Sequence, residues 1–295
     1  MSRMKKLTIE LPGEMVASVS DLLLGLEAGA VSEEQGEHGE LLIHAYFEEK
    51  TDIAGIMTTV KEFSTLLDKN AETVRFTARY IDQADWEGWK YYLKPVRASR
   101  RIVIRPPWEK QYQAEQGTEL VEINPGNAFG TGHHETTRIC ISYLDEIIGE
   151  CPGCSVFDVG CGSGILAICS IKLGAGVSFC ADIDFKAARE TILNSAANET
   201  SSKVKVWCGS VDCTRRKFDV VVSNMSRDAL ISMKNSLKER LLPTGHLIVS
   251  GIQASEKQEI AGIYRNSGYD TVGEKVEGGW AGVLFRLKKT RKPRQ

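Results

Sequence analysis

The alternation of apolar and polar positions changes texture along the chain. Over the first 80 residues the elements are short. Leu7-Thr8-Ile9-Glu10-Leu11 alternates with period two and reads as a strand, broken by Pro12-Gly13. Positions 15, 16, 19, 22, 23 and 26 are apolar at helical spacing. A short strand starts at Ala30-Val31, a turn covers Gly36 to Gly39, and Leu41 to Phe47 reads as a strand. Ile53, Ile56, Met57, Val60, Phe63 and Leu67 again share one helical face, and Thr73 to Tyr80 returns to period two. The order β-α-β-β-α-β predicts a small ferredoxin-like α+β domain over residues 1–80.

Residues 81–124 predict an ordered connector. Asp85 to Tyr92 suggests a short aromatic helix ended by Pro95, Arg101 to Ile104 a strand, and Pro106-Pro107-Trp108 a rigid step. From residue 153 longer elements alternate. Strands are expected at 155–159, 177–181, 204–208, 218–222 and 246–250, with helices at 165–173, 186–198, 227–241 and 255–266 and two final strands near 270–276 and 282–287. Apolar strands alternating with helices predict a mostly parallel sheet covered on both faces, a Rossmann-like α/β domain over residues 125–288. Residues 289–295 complete a basic tail that starts at Lys288, with five cations and no acid, expected to be a solvated end.

Composition narrows the class. With 42% hydrophobic and 26% charged residues the 295-residue chain reads as globular. Its 37 basic and 39 acidic residues leave a formal charge of −2, which argues against a nucleic-acid coat, and no direct nucleic-acid binding is expected. No apolar run approaches the length of a membrane span, and no membrane role is expected. The charge is uneven: residues 1–80 carry 14 acids against 8 bases, either a solvated face or a docking surface for a basic partner. Most of the eight cysteines sit in apolar strings, which predicts reduced thiols and the cytoplasm. Cys151-Pro152-Gly153-Cys154 has the spacing of a metal-ligand pair, but no second pair accompanies it.

The chemistry concentrates at strand ends. Asp158-Val159-Gly160-Cys161-Gly162-Ser163-Gly164 closes a predicted strand and opens a predicted helix, where glycines let the backbone turn tightly against a ligand. Ile165 breaks the G-x-G-x-x-G dinucleotide spacing, and no Gly-Lys-Ser/Thr follows for a phosphate loop. Asp182 ends the next strand, where a carboxylate accepts both hydroxyls of a ribose; Asp184 suits a helix N-cap. That pair indicates a nucleoside cofactor and leaves NAD and S-adenosylmethionine open. Asn224 ends the fourth strand of this domain, where an amide oxygen can accept N–H bonds from an amine, the alternative being a cap for the helix near Arg227. No Tyr-x-x-x-Lys or His dyad of a dehydrogenase stands at a strand end, which favours S-adenosylmethionine. Upstream, a glycine-rich loop from Asn124 runs through Gly130-Thr131-Gly132-His133-His134-Glu135-Thr136-Thr137 into a helix and suits a cover over a ligand. Its histidines lack the spacing of a metalloprotease box.

Together Pro125-Gly126, Phe129 to Thr137, Asp158 to Ile168, Asp182-Ile183-Asp184 and Asn224, with Ser250-Gly251-Ile252, Trp280, and Trp86, Trp89 and Lys94-Pro95 of the connector, resemble the ribosomal protein L11 methyltransferase family. The resemblance implies methyl transfer from S-adenosylmethionine to lysine and N-terminal amines of a basic ribosomal protein. It implies a small N-terminal domain that docks the substrate and a connector that acts as a hinge. Residue by residue, it implies that Thr137, Gly160, Asp182 and Asn224 hold the cofactor, with Gly162 against its methionine part. A methyltransferase for another protein or RNA, and a non-catalytic binding module of the same fold, are the alternatives. A monomer is expected.

Overall fold

Alternation at Leu7, Ile9 and Leu11 turns one face of β1 (Met4–Leu11) inward. It packs against α1 (Val16–Gly25) and α2 (Ile53–Leu67), and with β2 (Ala30–Gln35), β3 (Leu41–Glu48) and β4 (Arg75–Ile81) forms an antiparallel sheet in the order β2-β3-β1-β4. Leu7, Ile9, Val19, Leu23, Ile43, Phe47 and Val60 share its core. This is the ferredoxin-like order anticipated from the alternating elements. The opposite face is polar: His44 bridges Thr8 at 3.0 Å and Glu34 at 2.8 Å. The computed structural model describes residues 4–26, 28–35, 41–67, 74–81, 93–124 and 130–288. The turn read at 36–39, the aromatic helix at 85–92, the loop positions 125–129 and the tail at 289–295 lie outside them.

The chain divides into a smaller unit, Met1–Tyr92, and a larger one, Leu93–Gln295. The larger unit opens with β5 (Val96–Arg97), β6 (Ile102–Arg105) and β7 (Glu119–Glu122), a small sheet in which β6 pairs antiparallel with β5 and parallel with β7. Then follow α3 (Glu135–Glu150), β8 (Ser155–Val159), α4 (Ile165–Lys172), β9 (Val177–Asp182), α5 (Phe185–Ala197), β10 (Val204–Cys208), β11 (Phe218–Asn224), α6 (Arg227–Glu239), β12 (Leu241–Gln253), α7 (Lys257–Asn266), β13 (Tyr269–Glu277) and β14 (Trp280–Leu287). Seven strands run in the order β10-β9-β8-β11-β12-β14-β13. The first five are parallel, and β14 is antiparallel to both neighbours.

Burial on both faces explains the apolar strand sequences. Val156, Val220 and Val222 face a core with Ile139, Leu144 and Leu166, while Phe157, Val221 and Leu247 face a second with Phe218, Tyr264 and Phe285. Of the segment expected as a connector over 81–124, Ile81 ends β4 of the smaller unit, positions 82–92 lie outside the described residues, and Ile102, Ile104 and Val121 are buried in the larger unit's core beside α3. Arg101 fastens that part down: its Nε donates to Asp145 Oδ1 at 2.6 Å and its guanidinium also donates to the Asp145 and Leu173 carbonyls. Hydrophobic anchoring makes this segment part of the larger unit.

Candidate functional site

The chain builds outward from β8 in both directions: β9 and β10 lie on one side, β11 and β12 on the other. Such a reversal opens a crevice at the carboxyl ends of the strands, where ligands bind in open α/β sheets. The residues that end β8, β9 and β11 therefore share one place.

After Val159 the backbone turns through Gly160 (φ 76°), Gly162 (φ 54°) and Gly164 (φ 80°) before α4 begins. A side chain at Gly160 would bring a Cβ within 2.8 Å of Met225 Sδ, and one at Gly164 within 2.6 Å of Thr191. Close approach as well as positive φ demands glycine at both. The loop is pinned from several sides. Gly160 N–H donates to the Ala181 carbonyl at 2.8 Å, Thr191 Oγ1 to the Gly162 carbonyl at 2.9 Å, and Asn194 Nδ2 to the Ser163 carbonyl at 2.9 Å. Asn194 Oδ1 and Asn198 Oδ1 in turn accept from the backbone of Asn124 and Glu122. The buried polar face of α5 thus serves as a clamp between the glycine turn and the strand β7 exit.

Asp182 ends β9 with its carboxylate oriented by two backbone amides: Gly162 N–H donates to Oδ2 at 2.9 Å and Asp184 N–H to Oδ1 at 3.0 Å. Asp184 caps α5, accepting from Lys186 N–H at 2.8 Å, as its position in the sequence suggested. Asn224 does not cap α6, whose N-cap is Ser226. Its Nδ2 donates instead to Thr136 Oγ1 at 3.2 Å and Thr137 Oγ1 at 3.5 Å, and its buried Oδ1 finds no partner among the described residues. Gly130 joins the site through its carbonyl, which accepts from the buried Ser163 hydroxyl at 2.6 Å.

One cavity of about 460 Å³ is lined by Thr137, Gly160, Gly162, Asp182 and Asn224, so the five residues singled out in the sequence line a common space. Its volume suits a nucleoside-sized ligand. Sequence reasoning missed the rest of the wall: Ile183, the Gly209-Ser210-Val211 step after β10, and Met225 and Met233. Ile183 is 77% exposed, which an apolar residue after a strand signals only once its surroundings are known. Beneath the turn lies Asp158, fully buried, its carboxyl pushed up to about 7 chiefly by burial and further by the charge of Asp182, against the pull of the Ala167 amide. Of the two adjacent histidines, His133 donates from Nε2 to the Lys94 carbonyl at 2.8 Å, and His134 caps α3.

The family model for ribosomal protein L11 methyltransferases matches residues 7–288. A ribosomal protein L11 methyltransferase of Caldanaerobacter subterraneus subsp. tengcongensis is 36% identical over 264 residues, 86% of this chain and 82% of the relative. One of Desulfotalea psychrophila is 32% identical over 303 residues, 98% of this chain and 99% of the relative. Among solved structures, a ribosomal protein L11 methylase of Lactobacillus delbrueckii subsp. bulgaricus matches with a TM-score of 0.62 at 28% identity, over 66% of this chain and 100% of its own. The matched range spans both units, and the chain is a methyltransferase belonging to the ribosomal protein L11 methyltransferase family.

Proposed function

We propose that this chain transfers methyl groups from S-adenosylmethionine to amines, lysine side chains or the N-terminal α-amine, of ribosomal protein L11, acting as a monomer in the cytoplasm. The observation that carries the reading is the convergence of Gly160, Gly162, Asp182, Thr137 and Asn224 on one cavity at the reversal of strand order. The residues fit the cofactor. The Asp182 carboxylate, already held by two amides, supplies acceptors for a ribose diol, and the glycine turn admits the amino-acid portion without a side chain in the way. Apolar Ile183, Val211 and Met233 offer surface for a flat base. Asn224 Oδ1, without a partner among the described residues, is the acceptor that an amine N–H would satisfy.

When bound, the cofactor supplies a sulfonium methyl that is already electrophilic. The protein's share is alignment of the amine lone pair and exclusion of water. The amine must reach the site neutral, which at pH 7 costs about 4.6 kcal/mol for a lysine and about 1 kcal/mol for an α-amine. Desolvation beside a cation lowers the amine's pKa, so no strong base is required. The acid surplus on the smaller unit, 14 acids to 8 bases in residues 1–80, favours a basic ribosomal protein as the substrate it engages.

Calorimetry with S-adenosylmethionine, followed by mass spectrometry of purified L11 incubated with enzyme and cofactor, tests the proposal. Asp182→Ala is expected to weaken cofactor affinity at least about tenfold, and Asn224→Ala to abolish most turnover with the fold retained. Absence of cofactor binding by the wild-type chain, binding of a nicotinamide dinucleotide in its place, or unmodified L11 would overturn it.

A further inference from the structure

Resting on the reading of Asn224 above, the geometry points to His134 and Thr136 as positioning residues that set which end of the Asn224 amide faces the cavity. An asparagine amide is nearly symmetric in shape, and its two orientations are distinguished only by what its ends bond to. Here the neighbours decide. The backbone N–H of Thr136 donates to His134 Nδ1 at 3.3 Å, so Nδ1 presents a lone pair and the ring proton belongs on Nε2. The Thr136 hydroxyl stands 2.7 Å from the same nitrogen. An unprotonated ring nitrogen can only accept, so the hydroxyl spends its proton on His134. Its oxygen is then an acceptor toward Asn224, and Nδ2 donates to it at 3.2 Å. The Thr137 hydroxyl, at 3.5 Å, takes the same side. Oδ1 is left toward the cavity, buried and without a partner among the described residues.

The direction of this chain of bonds matters to the reaction. An amide oxygen accepts an amine N–H and leaves the nitrogen lone pair free for attack. A flipped amide would offer two N–H donors, which would compete for that lone pair and face the cationic sulfur unfavourably. Each link is also held in place. The His134 ring packs edge-on against Trp280 with centroids 4.8 Å apart, and Arg138 anchors the start of α3 to β13 through Glu277 while bonding Glu135 and the His133 carbonyl. Thr136 is 1% exposed, so its hydroxyl has no access to bulk water as a substitute partner. Burial is the largest influence on the His134 ring and lowers its pKa, Glu135 opposes this and Arg138 adds to it, which keeps the ring neutral and Nδ1 an acceptor. Neither residue need touch the substrate.

Four variants separate orientation from structure. Thr136→Val keeps the shape and removes the hydroxyl, Thr136→Ser keeps the hydroxyl, His134→Asn keeps a capping acceptor, and His134→Leu removes it. Losing an aligned buried bond predicts a fall in kcat of about tenfold or more in Thr136→Val and His134→Leu, with KM for L11 and the dissociation constant for S-adenosylmethionine within about threefold of wild type. Thr136→Ser and His134→Asn are expected to stay within about threefold of wild-type kcat. Wild-type kcat in Thr136→Val, or a Thr136→Ser variant as slow as Thr136→Val, overturns the relay. That result is distinguishable from failure of the underlying reading, which shows as full activity of Asn224→Ala or absence of cofactor binding by the wild-type protein.

Discussion

Asp158 lies fully buried on β8, opposite Cys180 on β9 and Val222 on β11, and beyond the weak pull of the Ala167 amide, which falls short of a full hydrogen bond, neither carboxyl oxygen has a partner among the described residues. The unfolded carboxyl titrates near 3.9, whereas burial raises the folded value to about 7. Across that interval the folded chain holds a proton that the unfolded chain has released. Stability from this group is therefore complete below about pH 4 and declines as pH rises toward 7. Asp158→Asn removes the titration. Urea melts should show the variant gaining on wild type by roughly 2–3 kcal/mol between pH 5 and pH 8; parallel pH dependence of the two proteins would refute this. At this scale the sequence spoke unevenly. Asp182 and Gly160 were legible because a glycine turn after one strand and an acid at the end of the next are local patterns. The isolation of Asp158 was not, because it depends on what two other strands place beside it.

Helices and strands came through wherever period and punctuation agreed. Strands at Ser155–Val159 and Val204–Cys208 coincide with the expected ranges, since each is short, mostly apolar and carries two valines. β12 runs from Leu241 to Gln253, beyond the five residues read from its apolar centre, because the preceding helix ends at Glu239 and Leu241 to Gly245 continue in extended backbone despite Pro243 and Gly245. β5 and β7 were not foreseen: one has two residues, and in the other only Val121 is buried. The Arg101–Asp145 pair, with side chains 28% and 7% exposed, adds to the apolar packing that holds that small sheet to α3. Burial alone would raise the Asp145 pKa, but hydrogen bonds from the Ser99 hydroxyl and from Arg101 outweigh it and hold the carboxyl below its usual range. Asp145→Ala strands the guanidinium against the protein and is expected to cost about 3 kcal/mol in denaturant unfolding. A loss under about 0.5 kcal/mol would show that the pair contributes no more than a surface bridge.

At the level of the whole chain, the cores sort into two units: the one with Leu7, Ile43 and Phe47 belongs to the smaller, and the two on opposite faces of the sheet around β8 belong to the larger. Every residue lining the cavity comes from the larger unit. A fragment of residues 93–295 should accordingly bind S-adenosylmethionine within about threefold of the full chain by calorimetry, while losing most of its methylation of L11. Cofactor binding that disappears with the smaller unit would contradict the assignment of the whole binding surface to this part. The seam between β8 and β11 gives the site a second significance. There two separately wound halves of one sheet meet, joined by the strand ladder and by the Ser223 hydroxyl on the Val159 carbonyl. A guest lodged across it would act as a rivet, favouring the joined ladder that shapes the pocket over its separation.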